Sequence, residues 1–145
     1  MAAYFFDSSA LVKRYIVEAG AAYVNSALTD RLASRFIAHL TLAEVTAAMV
    51  RRLTSDAAAA AIARFVLDID LVLLTVNMDN ELVEDAVALI QLHKLRGCDA
   101  LQLAAALRVF ASGYYPDLVF VCADDELNRA AVAEGLAAEN PNRYP

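Results

Sequence analysis

Short, unbroken apolar runs alternate with amphipathic stretches along this chain. Four runs have the length and the β-branched, leucine or aromatic content of buried strands: Ala2–Phe6, Ser34–Ala38, Leu71–Val76 and Leu118–Cys122. The stretches between them place apolar residues at helical spacing and begin at good helix caps. Helices are predicted from Ser8 or Ser9, after Gly20, over Thr41–Leu53, from Ser55 or Asp56 to about Leu67, and over Met78–Lys94, Asp99–Ala111 and Asp124–Glu134.

This alternation predicts an α/β protein. Strands that are apolar throughout, with helices between them, are typical of a parallel sheet covered on both faces. In such sheets, ligands bind beyond the carboxyl ends of the strands, where the strand order reverses. Acidic side chains that directly follow strands are therefore candidates for a functional site.

Four acidic residues occupy positions of this kind. Asp7 directly follows the first strand, and Asp124 follows the last one after a single alanine. Asp99 begins a helix after a loop, and Glu44 lies in the first turn of the helix after Ser34–Ala38. If the strands before Asp7 and Asp124 are neighbours, the four acids can converge on one pocket. Clustered carboxylates repel one another, so such a pocket requires cations or raised pKa values, and Mg²⁺ or Mn²⁺ suits oxygen ligands.

Each acid also has a structural explanation. Asp7, Asp99 and Asp124 stand at helix starts, where a carboxylate caps free N–H groups and complements the helix dipole. The segment Thr41-Leu42-Ala43-Glu44 matches a capping box, in which the glutamate closes the first turn. Spacing alone does not separate capping from metal binding.

Composition narrows the class of protein. The chain has 145 residues, about one domain, and its 60% hydrophobic content and mean hydropathy of +0.47 are high. Much of this is alanine on predicted helices, which favours a homo-oligomer or a tightly bound partner. No apolar run approaches the ~20 residues of a membrane span. The net charge of −6 argues against nonspecific nucleic-acid coating, although it leaves room for a local basic rim around a site.

Four segments occur in a characteristic order: FFDSSALVKRY, LTLAEV, RGCDALQLAAAL and VCADDELNRAAVAEGL. Together they resemble the PIN domain, in particular the VapC toxins of bacterial toxin–antitoxin pairs, over essentially the whole chain. The resemblance implies a single PIN domain at residues 1–145. It also implies a three-layer α/β/α sandwich around a parallel sheet of four to five strands in the order 3-2-1-4-5. In that order, strands 1 and 4 are neighbours.

The same resemblance implies a function. VapC-like proteins are metal-dependent endoribonucleases, so the expected substrate is RNA and the expected cofactor is Mg²⁺ or Mn²⁺. The expected partners are a cognate small antitoxin of the VapB type and a second copy of the chain, in the cytoplasm. Carried over by motif, the catalytic and metal-binding residues are Asp7, Glu44, Asp99 and Asp124.

Details of the motifs refine this assignment. Asp124 matches better than Asp125, because the family acid stands three residues before a leucine, here Leu127. Asp125 stays open as an outer partner. Ser9 corresponds to a small hydroxyl residue that orients the first aspartate. Many relatives have histidine in DALHLA, where this chain has Gln102, so any auxiliary role of that histidine is absent or replaced.

The chain shows no Ser/His/Asp arrangement, so a water molecule activated by one or two cations is the expected attacking group. Asp7 and Asp99 are expected to bind the metal directly, and Asp124 directly or through water. Glu44 is expected to be a ligand or the general base.

Two other functions remain open. One is a PIN-fold module that binds RNA or protein without cutting. The other is a phosphohydrolase of the haloacid dehalogenase type, which is disfavoured because Ser9 stands where that chemistry needs a second aspartate.

The remaining reactive or charged residues receive structural or supporting roles. His39 and His93 are predicted to be structural or surface residues, and Cys98 and Cys122 to be reduced core thiols. Five basic residues near the motifs are candidates to contact RNA phosphates, although solvated helix charges explain at least half of them: Lys13, Arg14, Arg51, Arg52 and Arg96.

Overall fold

The computed structural model describes residues 1–145, and it contains five strands and seven α-helices. The strands are β1 (Ala3–Phe6), β2 (Ser34–Ala38), β3 (Leu74–Val76), β4 (Leu118–Val121) and β5 (Ala137–Glu139). The helices are α1 (Ser8–Leu11), α2 (Ala21–Thr29), α3 (Leu40–Arg52), α4 (Ser55–Leu71), α5 (Asn80–His93), α6 (Gly97–Ala111) and α7 (Asp125–Ala133). Two short 3-10 segments are formed by Val12–Arg14 and Pro141–Arg143.

All five strands run parallel in one sheet, in the order β3-β2-β1-β4-β5. The α/β class and the strand order expected from the resemblance are therefore confirmed. β1 and β4 are paired at the centre, with Phe5 opposite Phe120 and Phe6 opposite Val121. Because these strands end at the same edge, the residues that follow them are brought together there.

Alternation along the central strands builds one apolar layer on each face of the sheet. Phe5 and Phe120 stack at a ring distance of 5.9 Å and pack beneath α5, α6 and α7. Phe6 and Val121 point to the opposite face and pack with residues of α1 to α4. The sheet is thus the middle layer of three, as the PIN-like sandwich requires.

The predicted strand at Leu71–Val76 is partly wrong. α4 runs through Leu71 rather than ending at Leu67, and β3 begins only at Leu74. The backbone carbonyl of Asp68 accepts from the N–H groups of both Val72 and Leu73 at 2.9 Å, which closes the last turn. The apolar run therefore serves first as the end of a helix and only then as a strand.

β5 is the element that residue patterns alone did not predict. It is a three-residue strand, Ala137–Glu139, whose pairing with β4 places Ala137 opposite Val119. None of the seven helices combines the length and the apolar character needed to cross a bilayer.

Candidate active site

The carboxyl ends of β1 and β4 carry the first and last of the four predicted acids. The Asp7 N–H donates to the Val121 carbonyl at 3.0 Å, which extends the strand pairing to the residue at the site. Asp7 is the N-cap of α1, a role that the sequence analysis also gave to Ser8 or Ser9, and Asp124 is the N-cap of α7. Two short connections therefore hold both carboxylates at the centre of the sheet edge.

The Asp7 carboxylate is held on one side only. The side chain is 5% exposed. Its Oδ2 accepts from the Ser9 N–H at 3.0 Å, from the Ser9 hydroxyl and from the Cys122 thiol at 3.4 Å. Oδ1 has no protein donor, yet it is not among the buried atoms that lack a partner, so it reaches solvent. The predicted contact between Ser9 and Asp7 is present, and the Ser9 hydroxyl in turn accepts from the Ala123 N–H at 3.0 Å.

Glu44 does not form the capping box that its sequence suggested. α3 begins at Leu40, so Thr41 lies inside the first turn, where it is completely buried. Glu44 instead reaches across the molecule: its Oε1 accepts from the Ser8 hydroxyl at 2.7 Å and from the Gln102 side-chain amide at 2.8 Å. The other carboxylate oxygen, Oε2, has no protein donor. The capping explanation of Glu44 is therefore wrong.

Asp124 and Asp125 face different surroundings. Asp124 Oδ1 accepts from the N–H groups of Glu126 at 2.8 Å and Leu127 at 3.1 Å, so the predicted helix cap is present and Oδ2 is left without a donor. Asp125 Oδ1 accepts from the Asn140 amide at 2.8 Å. Of these two acids, only Asp124 contributes to the raised pKa of Asp99. This geometry favours Asp124 over Asp125 as the member of the acidic group.

Asp99 lies in the first turn of α6. This helix begins at Gly97, two residues before its predicted start at Asp99. Burial, followed by the negative charges of Asp7 and Asp124, raises the pKa of Asp99 to about 6. Glu44 acts in the same direction, and Arg96 opposes it. Burial also raises the pKa of Asp7, with Glu44 adding to the effect. The four carboxylates therefore share one electrostatic environment with too little positive charge in it.

A small cavity of about 90 Å³ opens between two of these acids. Asp99 and Asp124 line it together with Lys94 and Arg96. Lys94 is the one non-glycine residue with a left-handed backbone, at φ 57°, and it ends α5 there. The turn from α5 to α6 thus places two basic side chains beside the acidic group.

The donor set suits a hard divalent cation. Asp7, Glu44 and Asp124 each use one carboxylate oxygen for protein hydrogen bonds and keep the other, while Asp99 caps no backbone group. All the free donors are oxygens, as Mg²⁺ and Mn²⁺ prefer. However, no three histidine, cysteine, aspartate or glutamate side chains stand close enough together to hold an ion as they are placed.

The histidines and cysteines do not belong to the group of four acids, although one of them, Cys122, contacts a member of that group. His39 is exposed, and His93, the last residue of α5, is paired with Glu134 at 2.7 Å. Cys122 is buried as predicted, and its thiol contacts Asp7. Cys98 is exposed, so its prediction as a core residue is wrong: it lies at the start of α6, on the outside of the first turn.

Most of the five predicted basic contacts are already engaged. Lys13 is buried and paired with Glu18, which also binds Arg52 at 2.6 Å. Arg14 is paired with Asp68, a buried residue of α4. The two that remain exposed and outside these ion pairs are Arg51 and Arg96. Two further arginines line a cleft of about 420 Å³ next to Asp125: Arg129, which lies within the fourth motif segment, and Arg143. The sequence analysis named neither as a phosphate contact.

Comparison with known proteins relates this fold to bacterial toxins. No family model matches the chain, and no curated protein matches its sequence. Solved structures do match over nearly its whole length. A toxin–antitoxin complex from Klebsiella pneumoniae superposes with a TM-score of 0.68 at 19% identity, covering 97% of this chain and 98% of that one.

Two further structures give the same picture. VapBC2 from Rickettsia felis, bound to a DNA fragment from its promoter, matches with a TM-score of 0.66 at 15% identity, over 95% of this chain and 98% of that one. Mycobacterium tuberculosis VapC20, described as a sarcin-ricin loop cleaving toxin, matches with a TM-score of 0.68 at 18% identity, over 92% and 96%. The chain therefore has the VapC-like PIN fold that its motifs resemble.

Proposed function

We propose that residues 1–145 form a single VapC-like PIN domain that hydrolyses RNA phosphodiester bonds with Mg²⁺ or Mn²⁺ as cofactor. One observation carries the proposal: at the centre of the sheet edge, burial and then the negative charges of Asp7, Asp124 and Glu44 raise the pKa of Asp99 to about 6. Such a group of acids is stabilised by a bound cation. The fold likeness to a toxin described as cleaving the sarcin-ricin loop supports RNA as the substrate.

The chain's own residues divide the chemistry among them. Asp7 and Asp99 would hold the cation, with Asp124 as a further ligand, directly or through water. A bound divalent cation lowers the pKa of water and offsets charge on the phosphate. Glu44 accepts the proton of the attacking water, whose oxygen bonds to phosphorus as the bond to the leaving ribose oxygen breaks. The leaving oxygen takes its proton from solvent.

Cleavage of a structured RNA hairpin tests the proposal. We expect cleavage in millimolar Mg²⁺ or Mn²⁺ and none in excess chelator. Glu44→Gln keeps the shape of the side chain but removes the charge, so the rate should fall by roughly 10²-fold or more. Glu84→Gln makes the same chemical change on the exposed face of α5 and should leave the rate unchanged. An active Glu44→Gln variant would remove Glu44 from the mechanism.

We further propose that a small antitoxin and a second copy of the chain bind this protein. Support comes from large apolar side chains that are exposed on helices, including Leu67 and Leu71 of α4 at 58% and 78%. Exposed apolar side chains are also present on α5, where Leu92 is 69% exposed beside a groove of about 670 Å³ between α5 and α6.

A non-catalytic binding module is the second candidate. It is favoured by the finding that no three ligands are positioned to hold an ion as they stand. Under this alternative, the RNA hairpin binds but stays intact in Mg²⁺ and Mn²⁺. The same alternative predicts that neither cation changes the melting temperature. Measuring RNA cleavage and the melting temperature with and without the cations therefore separates the two functions.

A further inference from the structure

Gln102 is a fully buried polar side chain on a helix face that otherwise packs aliphatic residues. It is 1% exposed, and its neighbours Leu103 and Ala106 on α6 are completely buried. An amide without partners costs free energy in such a place, whereas an apolar side chain of the same size does not. Its presence therefore calls for partners, and the structure supplies them from two other elements.

All its partners follow the carboxyl ends of β1 and β2. The amide nitrogen, Nε2, lies 2.8 Å from the Ser8 hydroxyl, 3.0 Å from the Thr41 hydroxyl and 2.8 Å from Glu44 Oε1. The amide oxygen accepts from the Thr41 hydroxyl at 3.3 Å. The Thr41 hydroxyl is within reach of both amide atoms, so the orientation is set by Glu44: an ionised carboxylate only accepts, which places the amide nitrogen towards it. The same Glu44 oxygen also accepts from the Ser8 hydroxyl at 2.7 Å.

This arrangement divides the Glu44 carboxylate into two unlike oxygens. Oε1 is held by donors from α1 and α6, so the side chain cannot rotate without breaking two hydrogen bonds to a charged group. Oε2 has no donor and is left to the acidic site. Thr41 is completely buried and Ser8 partly so, which keeps competing water away from most of the network.

We infer that Gln102 is the positioning residue of Glu44: its amide fixes the carboxylate so that one oxygen is presented to the attacking water. This inference rests on the proposed function, because it concerns how that site is ordered. Gln102 does not touch substrate in this role. It acts through Glu44, and its effect disappears when the Glu44 carboxylate is absent.

A double-mutant cycle measures that dependence. Gln102→Met keeps the volume and removes the hydrogen bonds, so kcat should fall roughly 10- to 100-fold, the range for losing a bond to a charged group, with KM for RNA nearly unchanged. In a Glu44→Gln background, the same change should alter the residual rate by less than about twofold. Gln102→Asn, which keeps a buried amide but withdraws it by one methylene, serves as the second variant. Leu103→Met controls for altered packing in α6.

Side-chain amide signals test the contact without cleavage. The chain has only two glutamines, Gln102 and the exposed Gln91. In metal-free protein, the Gln102 amide protons should exchange slowly and shift when Glu44 is changed to glutamine, whereas those of Gln91 should exchange fast and stay in place.

The outcomes separate two failures. Equal loss of rate in both backgrounds, or a loss that appears in KM, would overturn the positioning role while leaving the nuclease in place. A wild-type chain that cuts no RNA ends the proposed function, and the amide signals then still decide whether Gln102 holds Glu44. Fast exchange at Gln102, or signals indifferent to Glu44→Gln, overturns the inference by itself.

Discussion

Gly20 lies against the backbone of Pro141, although 120 residues separate them in the chain. A Cβ built on Gly20 would stand 2.6 Å from the Pro141 carbonyl oxygen, and the backbone of Gly20 has a φ of +86°. Both features require glycine. The contact joins the start of α2 to the segment after β5, where Tyr23 and Tyr144 also stack at 4.6 Å.

Gly20→Ala should destabilise the protein by about 2–4 kcal/mol, because the strained backbone and the clash add together. Gly135→Ala separates the two effects. Gly135 also has a positive φ, +96°, but no atom stands within 4 Å of its Cβ position. That control should therefore cost only about 1 kcal/mol. Chemical denaturation of both variants measures the difference. Equal losses of unfolding free energy would show that the backbone at Pro141 moves away from the added methyl group at little cost.

Asp68 anchors α4 through its side chain. This 7% exposed carboxylate accepts from the Arg14 guanidinium at 3.2 Å and from the Tyr15 hydroxyl at 2.7 Å. Asp68→Ala leaves the partly buried guanidinium of Arg14 without this carboxylate and should lower the free energy of unfolding by about 3 kcal/mol. Asp70→Ala, on the exposed side of the same helix, should cost less than about 0.5 kcal/mol. Urea unfolding curves measure both, and a mild Asp68→Ala phenotype would mean that water replaces the lost partner.

Asp68 also acts on Tyr15. Burial, with Asp68 adding to it, raises the pKa of Tyr15 well above its ordinary value of 10. Asp68→Asn retains the shape but removes the charge, so the pKa of Tyr15 should fall. Ultraviolet titration of the phenol reads this out directly, at pH values where the fold persists.

Asp99 should make the metal-free protein more stable at mildly acid pH. The folded state holds the proton up to a pKa of about 6, whereas the ordinary value is 3.8. Between these values the folded chain binds more protons than the unfolded chain, so the free energy of unfolding falls as pH rises from about 4 to about 6. Asp99→Asn should flatten this slope and add on the order of 1 kcal/mol at pH 7, since solvent screens part of the effect.

The matched control is Asp117→Asn, which removes one charge from an exposed turn before β4. It should leave the slope in place. Burial raises the pKa of Asp7 in the same direction, so a smaller slope should remain even in Asp99→Asn. A metal-free protein whose stability rises with pH over this range would contradict the prediction.

Divalent cations should stabilise the fold. At ten times Kd, Mg²⁺ or Mn²⁺ adds about 1.4 kcal/mol to the free energy of unfolding, which a melting curve detects. Asp124→Asn should weaken this response while keeping the cap of α7. Asp125→Asn changes the neighbouring acid, which is engaged with Asn140, and should leave the response intact. The reverse order of effects would move the site to Asp125.

The central elements were predictable because their sequence signals are local. Apolar runs gave β1, β2 and β4 to within one residue, and the acids after them followed from the rule for parallel sheets. Three-residue β5 was not predictable from its residues, since Ala137 and Ala138 favour helices and only pairing with β4 makes them a strand. The helix α4 continues past its predicted end at Leu67, because the polar residue Asp68 is buried by contacts with residues that are distant in the sequence.

The candidate site shows the same contrast between local sequence signals and contacts that are distant in the sequence. Motifs named the four acids, whereas the surroundings of Glu44 were invisible along the chain. Ser8 and Gln102 stand 36 and 58 residues from Glu44. The motif marked Gln102 only as a departure from histidine, and no pattern along the chain linked either residue to Glu44. The capping box at Thr41 and Glu44 was a true local pattern. It was overridden because burial of Thr41 and two distant donors to Glu44 outweigh one helix cap.

The two outer strands, β3 and β5, have three residues each and pair on one side only. Each therefore offers an incoming strand only a few free backbone groups, and after β5 the chain turns into Pro141, which has no N–H to donate. Such blunted edges protect a parallel sheet from edge-to-edge aggregation. They also mean that a protein partner gains little by extending the sheet, so recognition falls to the helices, whose apolar side chains stand open to solvent.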